Sequence, residues 1–200
     1  MDIKEVAAFF DSYADSWDAD MIKIQWKVNK ILDVAEITEG KTVLDVACGT
    51  GVLVSDYINR NVKKCVAVDI SQNMINVAKS KFSEYEYIEF LCADAEMCKF
   101  ADKFDSIVIY NAFPHFANRN FLFENLSKCL EENGRITVAH GMSREDLIKH
   151  HSGSAKKVST ILPEAGELAE MMKPYFEVDT VISTDEIYIV SGVRLNKVFA

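Results

Sequence analysis

The chain has 200 residues and a formal net charge of −9, with 31 acidic against 22 basic side chains. Nearly half of it is hydrophobic and Gly and Pro are sparse, which excludes a disordered chain and leaves room for one substantial core. The acidic balance, with Lys and Arg scattered apart from Arg60, Lys63 and Lys64, argues against a nucleic-acid partner, and no apolar run reaches the ~18 residues of a membrane span.

Residues 1–38 precede the first strand signal. Met1 to Glu5 lacks the basic-then-apolar pattern of a signal peptide. Five cysteines, an odd number with no Cys-x-x-Cys pair, read as reduced thiols of a cytoplasmic protein. Val6, Phe9, Phe10 and Tyr13 follow helical spacing, as do Met21, Ile24, Val28, Ile31 and Leu32. Between them, Asp11 to Asp18 is polar but holds two large aromatics, Tyr13 and Trp17. It is either a helix boundary capped by Ser16 with the aromatics on the core, or a lid over a ligand.

Thr42 to Gly51 carries the strongest signal. Val43, Leu44 and Val46 suit a strand buried on both faces. Gly49 and Gly51 permit a sharp turn with close approach of backbone to ligand, and Val52 to Arg60 follows as a helix whose N-terminus faces that ligand. Val52-Leu53 after the last glycine excludes a phosphate-binding P-loop, and Val54 breaks a dinucleotide fingerprint. Asp45, four residues before Gly49, places a carboxylate at the end of the strand, suited to a cationic group such as the ammonium of an adenosyl amino acid.

A second strand, Lys64 to Ile70, carries Asp69 where it can accept two ribose hydroxyls. Ser71 caps a helix over Gln72 to Phe82, and Ile70 and Met74 either sandwich an adenine or pack in the core. The third strand, Tyr87 to Cys92, leads into Ala93-Asp94-Ala95. The fourth, Phe104 to Tyr110, ends in Asn111-Ala112-Phe113-Pro114-His115-Phe116. A helix over Asn120 to Leu130 closes with Gly134 as a left-handed cap, before a fifth strand from Arg135 to His140. Helices over Arg144 to His151 and Pro163 to Met172, with Pro at the first turn, precede an antiparallel pair, Phe176 to Ile182 and Glu186 to Leu195.

Val43 to Gly51 resembles motif I of the class I S-adenosylmethionine-dependent methyltransferases, D-x-G-x-G-x-G, with Ala47 in place of the first glycine. Phe10 to Asp18 is similar to the N-terminal F-D-x-x-A-x-x-W-D of small methyltransferases, where it covers the cofactor. Asp94 resembles the acidic loop after the third strand, and Asp105 with Asn111 the motif IV region. The resemblance spans essentially the whole chain and points broadly to the ubiquinone/menaquinone-biosynthesis type. It implies an α/β, Rossmann-like fold with a seven-stranded, mostly parallel sheet in the order 3-2-1-4-5-7-6. It implies one methyltransferase domain over 1–200, with an N-terminal helical lid (1–38) on a core (39–200). S-adenosylmethionine would then be held by Tyr13, Trp17, Asp45, Ala47, Gly49, Gly51, Asp69, Ile70, Met74, Asp94, Ala95 and Asn111. The acceptor would be a small molecule whose reacting atom is left open.

All four histidines follow the fourth and fifth strands, where the acceptor sits in this fold. Resemblance to small bacterial methyltransferase-like proteins singles out His115, His140 and His151 as catalytic candidates. Three readings are open: structural histidines, a general base or hydrogen-bond partner, or a divalent metal site of three imidazoles. Arg144 either binds an anionic substrate group or pairs with Glu145 or Asp146. The rival to an enzyme is a binding protein that holds the cofactor or a metal without turnover.

Overall fold

A computed structural model describes residues 2–150 and 154–196. Seven strands form one sheet: β1 (Thr42–Val46), β2 (Lys64–Asp69), β3 (Ile88–Cys92), β4 (Phe104–Tyr110), β5 (Leu130–His140), β6 (Phe176–Ser183) and β7 (Tyr188–Arg194). Their order is β3-β2-β1-β4-β5-β7-β6, as the resemblance implies. β1 to β5 run parallel, and β7 lies antiparallel between β5 and β6.

The helices are α1 (Ile3–Tyr13), α2 (Trp17–Asp20), α3 (Gln25–Val34), α4 (Val54–Asn59), α5 (Gln72–Phe82), α6 (Arg119–Ser127), α7 (Arg144–His150) and α8 (Ala165–Met172). Phe113–His115 and Ser154–Val158 form single 3-10 turns. Alternation along the central strands supplies both faces of the sheet. Leu44 and Val46 pack with Phe113, Phe123 and Leu168 on the α6 and α8 side, while Val43, Cys65 and Ala67 pack with Val28, Leu32, Tyr57 and Ile75 on the α3, α4 and α5 side.

Several details differ from the sequence reading. Residues 21–24 are not helical; they run in extended form to the start of α3, where Ile24 is the N-cap. α6 ends at Ser127 rather than Leu130, because Leu130 already pairs with Phe104 in the sheet. The left-handed residue there is Asn133 (φ 62°) and not Gly134. Gly134 is required for space instead, since a Cβ would lie 3.0 Å from the Phe104 carbonyl oxygen. Pro163 lies outside α8, which Glu164 caps through a reciprocal box with Glu167.

Candidate functional site

A cavity of about 690 Å³ opens at the C-terminal ends of β1, β2 and β4, beneath α1 and α2. It is the edge at which open parallel sheets bind ligands. Its walls carry Asp45, Asp69 and Asp94 but, among the described residues, no Lys or Arg. Most of the rest is apolar, including Phe10, Ile70, Met74, Phe116 and Met142.

The turn after β1 bends through three left-handed residues, Ala47 (φ 57°), Gly49 (φ 56°) and Gly51 (φ 83°). At Ala47 an alanine occupies a conformation that glycine adopts without strain. Gly49 faces the cavity, with the Nε1 of Trp17 3.8 Å from where its Cβ would be. Gly51 does not line the cavity; its Cβ would sit 2.8 Å from the Phe82 ring, so the glycine leaves room for α5.

The two acidic residues on β1 and β2 differ. Asp69 accepts from the N–H of Gly49 (2.8 Å) through Oδ2 and from that of Ser71 (2.9 Å) through Oδ1. Burial raises its pKa despite those bonds. Asp45 is 2% exposed, and its Oδ2 makes no hydrogen bond among the described residues. Burial, reinforced by the Asp69 charge, pushes its pKa up to about 8. An inward carboxyl oxygen without a partner, beside a backbone turn open to the cavity, fits the ammonium of an adenosyl amino acid.

The N-terminal helices cover this edge. Tyr13 and Trp17 line the cavity and are not part of the buried core. Phe10 packs edge-on to Trp17 at 5.8 Å and to His115 at 4.9 Å. Ser16 precedes α2 without a capping bond to it; its hydroxyl donates to the Tyr13 carbonyl. Ile70, Met74, Asp94 and Ala95 line the adjoining wall. The Oδ1 of Asp94 accepts from Glu96 N–H (2.9 Å), which sets the loop after β3. Asn111, left-handed at φ 54°, lines the cavity and accepts from Gly141 N–H (2.9 Å). Asp105 lies at the far end of β4, where it accepts from the N–H and hydroxyl of Thr42.

The histidines are not gathered. His115 lines the cavity; its Nδ1 lies 2.8 Å from the Val158 carbonyl oxygen, and burial lowers its pKa. A carbonyl only accepts, so Nδ1 carries the ring proton and Nε2 is the basic nitrogen of the neutral ring. His140 is fully buried, edge-on to Tyr188 at 5.9 Å, and does not line the cavity, because its strand turns it into the sheet. His151 lies outside the described residues. No group of three or more His, Cys, Asp or Glu is placed to hold a metal among the described residues, so the expected histidine metal site finds no support. Arg144 pairs with Glu164 (2.8 Å) and the Leu162 carbonyl rather than with Glu145 or Asp146.

Residues 44–138 match the methyltransferase domain family. Over these residues the chain is similar to class I S-adenosylmethionine-dependent methyltransferases, the family that the matches support. It is 34% identical over 120 residues to an uncharacterized methyltransferase of Schizosaccharomyces pombe, covering 55% of this chain and 40% of that protein. It is 30% identical over 143 residues to the malonyl-[acyl-carrier protein] O-methyltransferase of Acetivibrio thermocellus, covering 70% of this chain and 50% of that protein. The chain thus spans about half the length of these curated relatives. The N-methyltransferase NodS of Bradyrhizobium japonicum, in complex with S-adenosyl-L-homocysteine, shares the fold with a TM-score of 0.74. That match is 11% identical and covers 94% of this chain and 98% of NodS.

Set on this methyltransferase fold, several residues enter the site that sequence reasoning did not assign. Tyr110, Phe116, Met142 and Leu147 line the cavity; Phe116 closes the run after the fourth strand, and nothing local in the sequence marks the other three. Asp11 and Asp18 bind the loops of the site. Both stand in the Phe10 to Asp18 run, so the signal is present in the sequence without a role attached.

Proposed function

We propose that this protein transfers a methyl group from S-adenosylmethionine to a small-molecule acceptor by in-line displacement. The observation that carries the reading is Asp45, a buried carboxyl whose Oδ2 has no hydrogen-bond partner among the described residues and which faces a cavity at the end of β1. When bound, the sulfonium donor supplies an activated methyl group.

The chain's own residues then have definable roles. Asp45 binds the amino acid's ammonium. Asp69 has one oxygen on each of two backbone N–H groups, and each oxygen keeps a second lone pair for a ribose hydroxyl. Ile70 and Met74 hold the adenine between apolar surfaces, and Asp94 with the backbone of Ala95 meets its polar edge. Residues 1–38 act as a lid on the 39–200 core, with Tyr13 and Trp17 excluding water. His115, neutral and with its proton on Nδ1, accepts the acceptor's proton where one must be lost. Positioning alone supplies on the order of 7–11 kcal/mol in such reactions.

The test is calorimetric titration with S-adenosylhomocysteine, followed by measurement of S-adenosylhomocysteine formation against a panel of neutral phenols, amines and thiols. Micromolar binding and turnover with one class are expected. Absence of binding would overturn the reading.

A further inference from the structure

The lid is joined to the cofactor loops by two carboxylates. Asp18, just inside α2, accepts from the hydroxyl of Thr50 (2.5 Å) through Oδ1 and pairs with Lys81 of α5 (2.6 Å) through Oδ2. Asp11 in α1 accepts at one oxygen from the hydroxyl of Ser71 (2.6 Å) and from Asn73 N–H (3.0 Å). The amide of Asn73 in turn donates to the Asp11 carbonyl.

The anchor points are specific. Thr50 is fully buried and sits between the left-handed Gly49 and Gly51. Gly49 is already held on one side by its N–H bond to Asp69. The Asp18 bond therefore fixes the turn at a second point, through the neighbouring residue. Ser71 caps α5 and its N–H binds Asp69, so Asp11 reaches the second carboxylate's loop in the same way. Neither lid carboxylate lines the cavity.

We propose that Asp18 and Asp11 are positioning residues that set the glycine turn and the Ser71 cap from the lid, so that lid closure and methyl-donor binding are one coupled event. The inference rests on the donor site proposed above. Two loops tied to one cover lose their freedom together, and a donor that meets them already set gives up less of its binding energy to ordering. Asp18 is held ionised in this position. Burial opposes its charge, but the hydrogen bonds from Lys81 and Thr50 outweigh burial and lower its pKa.

The test uses S-adenosylhomocysteine as the probe. Asp18→Asn and Thr50→Val should each weaken binding about tenfold, the range of one charge-assisted hydrogen bond, while Thr50→Ser, which keeps the hydroxyl, should bind as the unaltered protein does. The losses in the double variant Asp18→Asn/Thr50→Val should be less than additive, because both changes act on the Thr50–Asp18 bond, while Asp18→Asn also gives up the Lys81 ion pair. In the unaltered protein the probe should slow amide hydrogen exchange across residues 3–20, and Asp18→Asn should abolish that slowing. Additive losses, or full affinity and full protection in Asp18→Asn, would overturn the coupling. Failure of the unaltered protein to bind the probe would instead remove the donor site and the inference with it.

Discussion

Asp45 and Asp69 face one cavity from neighbouring parallel strands, but only Asp69 has both carboxylate oxygens engaged by backbone N–H groups. The chain thus completes one acid by itself and leaves the other incomplete. Asp45 stands apart because its charge is opposed by burial first and by Asp69 second.

That difference predicts a pH dependence. The folded pKa of Asp45 is pushed up from 3.8 to about 8. Between these values the unfolded chain gives up the proton and the unliganded folded chain keeps it. This group therefore lowers folding stability as pH rises through the window and adds no further change above it. A bound ammonium favours the ionised form. Affinity for S-adenosylhomocysteine should rise by up to about tenfold per pH unit from pH 6 toward 8, with release of close to one proton in calorimetry across buffers of different ionisation enthalpy. Asp45→Asn should bind more weakly and show a flat profile; a slope unchanged by the substitution would place the titrating group elsewhere.

The left-handed turn predicts two substitutions of opposite sign. Ala47→Gly relieves strain of roughly 1–2 kcal/mol, offset by about 0.5–1 kcal/mol of chain entropy, so urea unfolding should show a small gain in stability. Gly51→Ala adds a Cβ to a residue at φ 83° and 2.8 Å from Phe82, which should cost about 2–3 kcal/mol. If both variants changed stability in the same direction, the turn geometry would be wrong.

His115→Gln should leave S-adenosylhomocysteine affinity within a few-fold of the original and lower turnover about 10²- to 10⁴-fold for an acceptor that must lose a proton. Because burial lowers the pKa of His115 below 6.5, the rate of the unaltered protein at saturating donor should be level around neutral pH and decline only on the acid side. A decline that began above pH 7 would point to another base.

Gly141 leaves space for Tyr110: a Cβ there would lie 2.7 Å from the tyrosine hydroxyl oxygen. Gly141→Ala should destabilise the protein by about 1–3 kcal/mol, and Tyr110→Phe should remove most of that cost. Equal costs in both backgrounds, read by thermal unfolding, would show that the hydroxyl is not the obstacle.

Much of this architecture was legible because its signals are local. The β1 run, the acids at the strand ends and the Ser71 cap each depend on neighbours a few residues away, and each lies where its spacing indicates. Features that depend on distant partners were not legible. Gly51 reads like Gly49 in the sequence, yet Phe82, 31 positions later, decides its role. His140 reads like His115, but pleating buries one and leaves the other on a turn facing the cavity. Asp18 meets Thr50 across 32 positions, a separation with no periodic trace. The Gly134 reading failed because the helix already ends at Ser127 and the chain enters the sheet at Leu130, so Gly134 lies within a strand rather than at a helix end.

The charge of the cavity wall bears on turnover itself. Its acids, with no Lys or Arg beside them among the described residues, favour the more positive of two guests that are otherwise nearly alike. In the proposed reaction the donor arrives as a sulfonium cation and leaves as a neutral thioether. The wall's attraction thus weakens with the transfer, so the reaction itself helps to empty the site.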